Sequence, residues 1–178
     1  MKKSFVAVAL VLALLFGFSA CSGSKEVVKE YNSSADFAEL QLFLEVPEGG
    51  ESPKYAIVDA KSNGEELKIA QITYDYEGTS CILRTANVGS HNISGYDENK
   101  AQSEEQYDLN VEGYSSQIRI MLISGKYVAL WTLGEHSYSL CADTSDPLVA
   151  TSCAIDAANA NVPMSVIAEN TTVAQTEE

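Results

Sequence analysis

The sequence predicts an α+β domain in which an antiparallel sheet of about seven strands carries one helix near its C-terminal end. Three observations point there. Between residues 55 and 142, short runs rich in Val, Ile, Leu, Thr and Tyr are punctuated by Glu77-Gly78, Ser124-Gly125 and Gly134-Glu135, dipeptides suited to tight turns. Ser145-Asp146-Pro147 then gives a helix start, with Asp146 as N-cap and Pro147 at the first helical position. Finally, 178 residues with 46% hydrophobic content and only 4 prolines fit one globular domain of ordinary size.

The elements follow in order. Residues 22–33 mix charges with Ser and Asn and read as a tether, 21–34 in all. Ser33 to Asp36 are cap-type residues before Phe37, Ala38 and Leu40, enough for one or two helical turns. Residues 40–46 alternate toward strand character and stop at Pro47-Glu48-Gly49-Gly50. Tyr55 to Val58 is a short strand, and residues 61–64 a turn. Residues 67–76 and 80–86 form a hairpin about Glu77-Gly78. Residues 87–106, rich in Asn, Gly, Ser and acids, read as a surface crossing. The last four strands, 107–112, 117–123, 127–133 and 136–142, form a meander. Leu148, Val149, Cys153 and residues 155–157 supply the apolar face of a helix that covers one face of the sheet and ends by 159–163. The domain is thus expected over 35–160, with a poorly ordered tail at 161–178.

The N-terminus carries the most specific signal. Lys2 and Lys3 precede an apolar stretch from Phe5 to Phe18, as in a secretory signal peptide of residues 1–20. Phe18-Ser19-Ala20-Cys21 resembles the lipobox of bacterial lipoproteins, with Phe18 where an aliphatic residue is usual. The resemblance implies cleavage before Cys21, a diacylated Cys21 as the new N-terminus, and attachment to the membrane through that lipid, since two acyl chains hold where one does not. Loss of Lys2 and Lys3 takes the net charge from −14 to −16. So acidic a chain is a poor partner for nucleic acid, which needs clustered basic residues.

Several segments taken together are similar to a family of uncharacterised extracytoplasmic domains of Gram-positive bacterial lipoproteins. They are Pro47 leading into Tyr55-Ala56-Ile57, Ile69-Ala70-Gln71-Ile72-Thr73-Tyr74, Leu83-Arg84-Thr85-Ala86, Asn92-Ile93-Ser94-Gly95, Ala129-Leu130-Trp131 and Ser137-Tyr138-Ser139. The likeness spans about residues 36 to 155. It implies a curved antiparallel sheet with helical elements and no assigned catalytic residue. This chain departs from the pattern in its three mature cysteines and in Asn92, where an acidic residue is expected.

Candidate chemistry is sparse. Cys81, Cys141 and Cys153 allow at most one internal disulfide, contain no CxxC pair, and read as buried small hydrophobes. His91 and His136 are the two residues able to act as bases near neutral pH, without a GxSxG elbow, a papain-type cysteine context or HExxH around them. Asp97, Glu98, Glu104, Glu105 and Asp108 crowd the crossing but lack calcium-loop spacing. No metal and no cofactor is expected. Arg84, inside an apolar strand, suits either a ligand carboxylate or an internal partner. Tyr96, Tyr107 and Tyr114 flank the crossing and suggest an amphipathic rim for an envelope protein or glycan. The expectation is therefore a non-enzymatic interaction or sensing module on the extracytoplasmic face of the cell membrane. The alternative is a hydrolase or small-ligand carrier acting on envelope material.

Overall fold

In a computed structural model, residues 26–62, 65–111 and 114–162 are described. Eight strands form one open, curved antiparallel sheet. They are β1 (Val27–Tyr31), β2 (Gly50–Ser62), β3 (Glu65–Tyr76), β4 (Thr79–Asn87), β5 (Ser103–Val111), β6 (Tyr114–Ile123), β7 (Lys126–Leu133) and β8 (His136–Ala142), followed by helix α1 (Pro147–Ala160). Their spatial order is β1-β2-β3-β4-β8-β7-β6-β5. Two four-stranded meanders therefore meet along a single seam between β4 and β8, in register from Cys81 opposite Ala142 to Asn87 opposite His136. The turns at Glu77-Gly78 and Ser124-Gly125 place both residues at positive φ, the mirror-image geometry that matches the twist of two-residue hairpins.

Alternation along the strands assigns the faces. One face presents Ile57, Ala70, Ile72, Tyr74, Cys81, Leu83, Leu140, Ala129, Trp131 and Ile120 to the main core. It is covered by α1 and by a 3-10 helix, Ser34–Leu40, whose Phe37 is buried and meets Tyr55 edge to face at 6.2 Å. Trp131 and Tyr138 stack on this face with ring centroids 5.4 Å apart. The other face holds two smaller clusters, Met121, Ile123, Val128, Leu130 and Cys141 in one, and Val58, Ile69, Ala86 and Ile93 in the second.

Helix α1 starts where expected, with the Asp146 carboxylate accepting from the Leu148 N–H at 2.9 Å. Its inward face is made of small residues, Ala150, Cys153, Ala154, Ala157 and Ala158, all buried. The first two residues of the expected poorly ordered tail, Asn161 and Val162, are instead buried. The Asn161 side-chain amide donates to the Ala157 and Glu45 carbonyls at 2.8 and 2.9 Å, and its oxygen accepts from the Glu45 N–H at 2.6 Å. That one side chain ends the helix and ties it to residues 42–47.

Three further expectations need correction. Part of the tether, Val27–Tyr31, is a strand paired from Val27 opposite Asp59 to Tyr31 opposite Tyr55, which makes the strand count eight. Its mixed charge is that of an edge strand, where Lys and Glu face water. Residues 42–47 alternate with Leu42 and Leu44 buried, yet join no ladder. The short strand at Tyr55 is the middle of the longer β2, whose register shifts between Glu51 and Lys54 around Ser52, at positive φ. The signal segment, Cys21 and residues 163–178 lie outside the described residues.

Candidate functional site

Arg84 sits on β4, on the face that α1 does not cover, only 9% exposed, and its fork is filled from within. Nη1 and Nη2 donate to the two Glu26 carboxylate oxygens, each at 3.2 Å. Nη1 also reaches the Ile93 carbonyl at 3.1 Å, and Nε the Gln71 side-chain oxygen at 2.9 Å. The guanidinium thus joins the residue that precedes β1, strand β3 and the crossing. Of the two fates open to Arg84, the internal partner is the one found.

The crossing, residues 88–102, lies across the same face rather than away from it, since Ile93 and Ser94 are buried. Asn92 organises its tip. Its side-chain oxygen accepts from the Ser94 N–H and hydroxyl, at 3.0 and 2.6 Å, while its amide donates to the Tyr96 carbonyl at 2.8 Å. The acids around it are divided among protein partners. Arg119 spans Glu98 at 2.8 Å and Glu104 at 2.9 Å, which holds the Glu104 carboxyl below its ordinary range. Asp97 accepts from the Asn99 N–H, Glu105 from the Tyr107 hydroxyl, and Asp108 from the Gln117 amide. Among the described residues no group of three His, Cys, Asp or Glu converges as a metal site.

Of the expected tyrosine rim, Tyr96 and Tyr107 lie on opposite faces of the sheet. Tyr96 is half-buried against the Met121 and Cys141 cluster, where burial and the Cys141 thiol, donating to its hydroxyl at 3.4 Å, push the phenol's pKa up. Tyr107 packs on the opposite, helix-covered face. For Tyr114 only the backbone pairing with Val111 is described. Among the described residues, neither histidine ring hydrogen-bonds a Ser, Thr or Cys side chain. The His91 backbone N–H, not its ring, donates to the Ser137 hydroxyl at 2.9 Å, and the His136 ring at the start of β8 has its pKa lowered by burial.

The features open to a partner lie at the far edge of the sheet, where sequence reading placed none. All five residues of β1 are exposed, Val27 by 53% and Val28 by 54%, and among the described residues β1 pairs with β2 alone. Beside Val27 opens a cleft of about 680 Å³. Leu40, Leu42 and Leu67 are among its apolar lining, and Asp59, Lys61 and Lys68 among its charged lining. Asp59 is held between Lys29 at 3.2 Å and Lys68 at 2.6 Å, and these bonds lower its carboxyl's pKa. The alternation of Lys and Glu around two valines was the available signal for this edge; the cleft depends on the 3-10 helix meeting the β2–β3 hairpin and had none.

No protein-family model matches the chain, and neither do curated proteins or solved structures.

Proposed function

We propose that this chain is a lipid-anchored extracytoplasmic module of the cell envelope, a non-enzymatic interaction or sensing domain whose partner adds an extended segment to the β1 edge. The observation that carries this reading is an open edge strand bearing two adjacent valines more than half exposed. Edge strands are usually shielded, because their free N–H and C=O groups template further pairing. A peptide that pairs there gains main-chain hydrogen bonds, while its alternate side chains meet Val27 and Tyr31 on one side and Val28 on the other. The lipobox-like segment supports attachment at Cys21, only a few residues before β1, so the same edge would lie near the membrane and its proteins. The resemblance to envelope lipoprotein domains supports the location further.

Two experiments test this. Acyl labelling in the native host should disappear in Cys21→Ser, and labelling that persists would overturn the lipid attachment. Cross-linking in intact cells should capture one envelope protein through β1, and the capture should fall at least tenfold in a Val27→Lys, Val28→Lys double variant. Equal capture by both proteins would remove the edge from consideration.

The cleft favours a second reading, a small-ligand carrier, since its volume lies within the range of small-molecule sites. An amphipathic fluorescent probe binding once per chain, and lost in Ala60→Trp, would favour the carrier over the edge binder.

A further inference from the structure

We infer that Cys81 and Cys153 are the two halves of a disulfide that fastens α1 to the middle of the sheet, with Cys141 remaining a thiol. Cys81 lies on β4, a central strand, opposite Tyr74 on β3 and Ala142 on β8. Cys153 lies midway along α1, on the inward face. Both are fully buried in the same cluster, and the Tyr76 hydroxyl, two residues along β3 from Cys81's pairing partner Tyr74, donates to Asp156, three residues on from Cys153, so that α1 lies over this end of the strand pair. The helix comes this near because its neighbouring inward residues are alanines, which let a helix backbone approach a sheet closely. The same alanines leave the helix with little apolar area to bury, so a covalent fastening has a purpose here. Cys141 belongs to the other face, with its thiol on the Tyr96 hydroxyl, and the sheet itself separates it from both partners.

The chemistry is a dithiol–disulfide exchange. One sulfur attacks a disulfide oxidant, from a small molecule or a protein, and expels one thiol. The second sulfur attacks the resulting mixed disulfide and expels the other. One S–S bond forms in the chain and one breaks in the oxidant, which takes up two electrons and two protons. Because neither cysteine is accessible in the folded domain, the exchange belongs to folding, before α1 docks. Docking then shields the bond from thiol reductants. In the cell the inference rests on the extracytoplasmic reading, because cytosolic surroundings keep such pairs reduced.

The test separates pairing from location. The full chain carrying Cys21→Ser, so that no fourth thiol competes, is refolded in a mixed oxidised and reduced glutathione buffer and mapped by non-reducing peptide mass spectrometry. The expected result is one cross-link joining the Cys81 and Cys153 peptides, with Cys141 open to alkylation after unfolding. The melting midpoint should lie about 5–10 °C above that of the dithiothreitol-reduced protein. Three alkylatable thiols after refolding, or any cross-link through Cys141, would overturn the inference. The same map is made of protein whose thiols are trapped on acid quenching of the native host. The cross-link there supports both pairing and location. A pair that joins in the glutathione buffer but is recovered as free thiols from cells upholds the pairing and overturns the extracytoplasmic reading.

Discussion

The helix-covered and loop-covered faces of the sheet are built from alternate residues of the same strands, yet they are closed by opposite means. On the first, side chains such as Leu83, Ile72 and Leu140 meet a regular helix whose own polar backbone is satisfied internally. On the second, an irregular crossing brings unpaired backbone groups down onto the sheet, and these need partners when buried. Arg84 supplies one for the buried Ile93 carbonyl. The first cover is held by burial, which is non-directional, and the second by a polar network, which fails as a unit when one member is removed.

That contrast can be broken in order of expected size. Leu83→Ala removes a fully buried side chain under α1 and should destabilise the whole domain by about 3–4 kcal/mol, read as a lower urea midpoint with an unchanged slope. Arg84→Met should cost less, about 2–3 kcal/mol, by leaving Glu26, Gln71 and the Ile93 carbonyl without their donor. Its signature is local: hydrogen exchange should quicken across residues 88–102 while α1 keeps its protection. Equal loss of protection on both faces would show that the covers are not independent. Asn161→Ala should cost about 1–2 kcal/mol by freeing both backbone groups of Glu45 and the last carbonyls of α1. Its exchange should quicken at residues 42–47 and the end of α1 and nowhere on the second face.

The smallest effect is alkaline. The Tyr76 hydroxyl donates to the Asp156 carboxylate, which with burial raises its pKa from 10.0 to about 12. A folded-state value above the unfolded one means the phenol's contribution is complete below pH 10, shrinks as pH rises, and is gone above about 12. Tyr76→Phe should therefore lower stability slightly at neutral pH and flatten its fall between these limits, measured by urea unfolding at a series of pH values. An unaltered slope would show that Tyr76 does not contribute to it.

How much of this was legible differs between the two faces for the same reason. Hairpin turns, the meander and the Asp146-Pro147 start are local signals, and each lies where the residues put it. The second cover depends on contacts between distant residues, such as Glu26 with Arg84, and no periodicity encodes those. Strand β1 hid among residues 22–33 because an edge strand that stays soluble looks like a polar linker. Asn161 falls within the expected tail because a single amide reaching back to Glu45 leaves no pattern along the chain. The proposed contact surface shows the same limit: tyrosines drew notice by composition, whereas the exposed valines stand at an edge that exists only once the sheet is ordered.

The seam between β4 and β8 has a consequence for how such a chain comes to be whole. Every other ladder in the sheet joins strands adjacent in sequence, so each ribbon of four can be assembled from near neighbours at small loop-closure cost. A polypeptide threaded gradually through a narrow channel can thus lay down its leading ribbon while the remainder is still in transit, and await the trailing one to complete a single zipper.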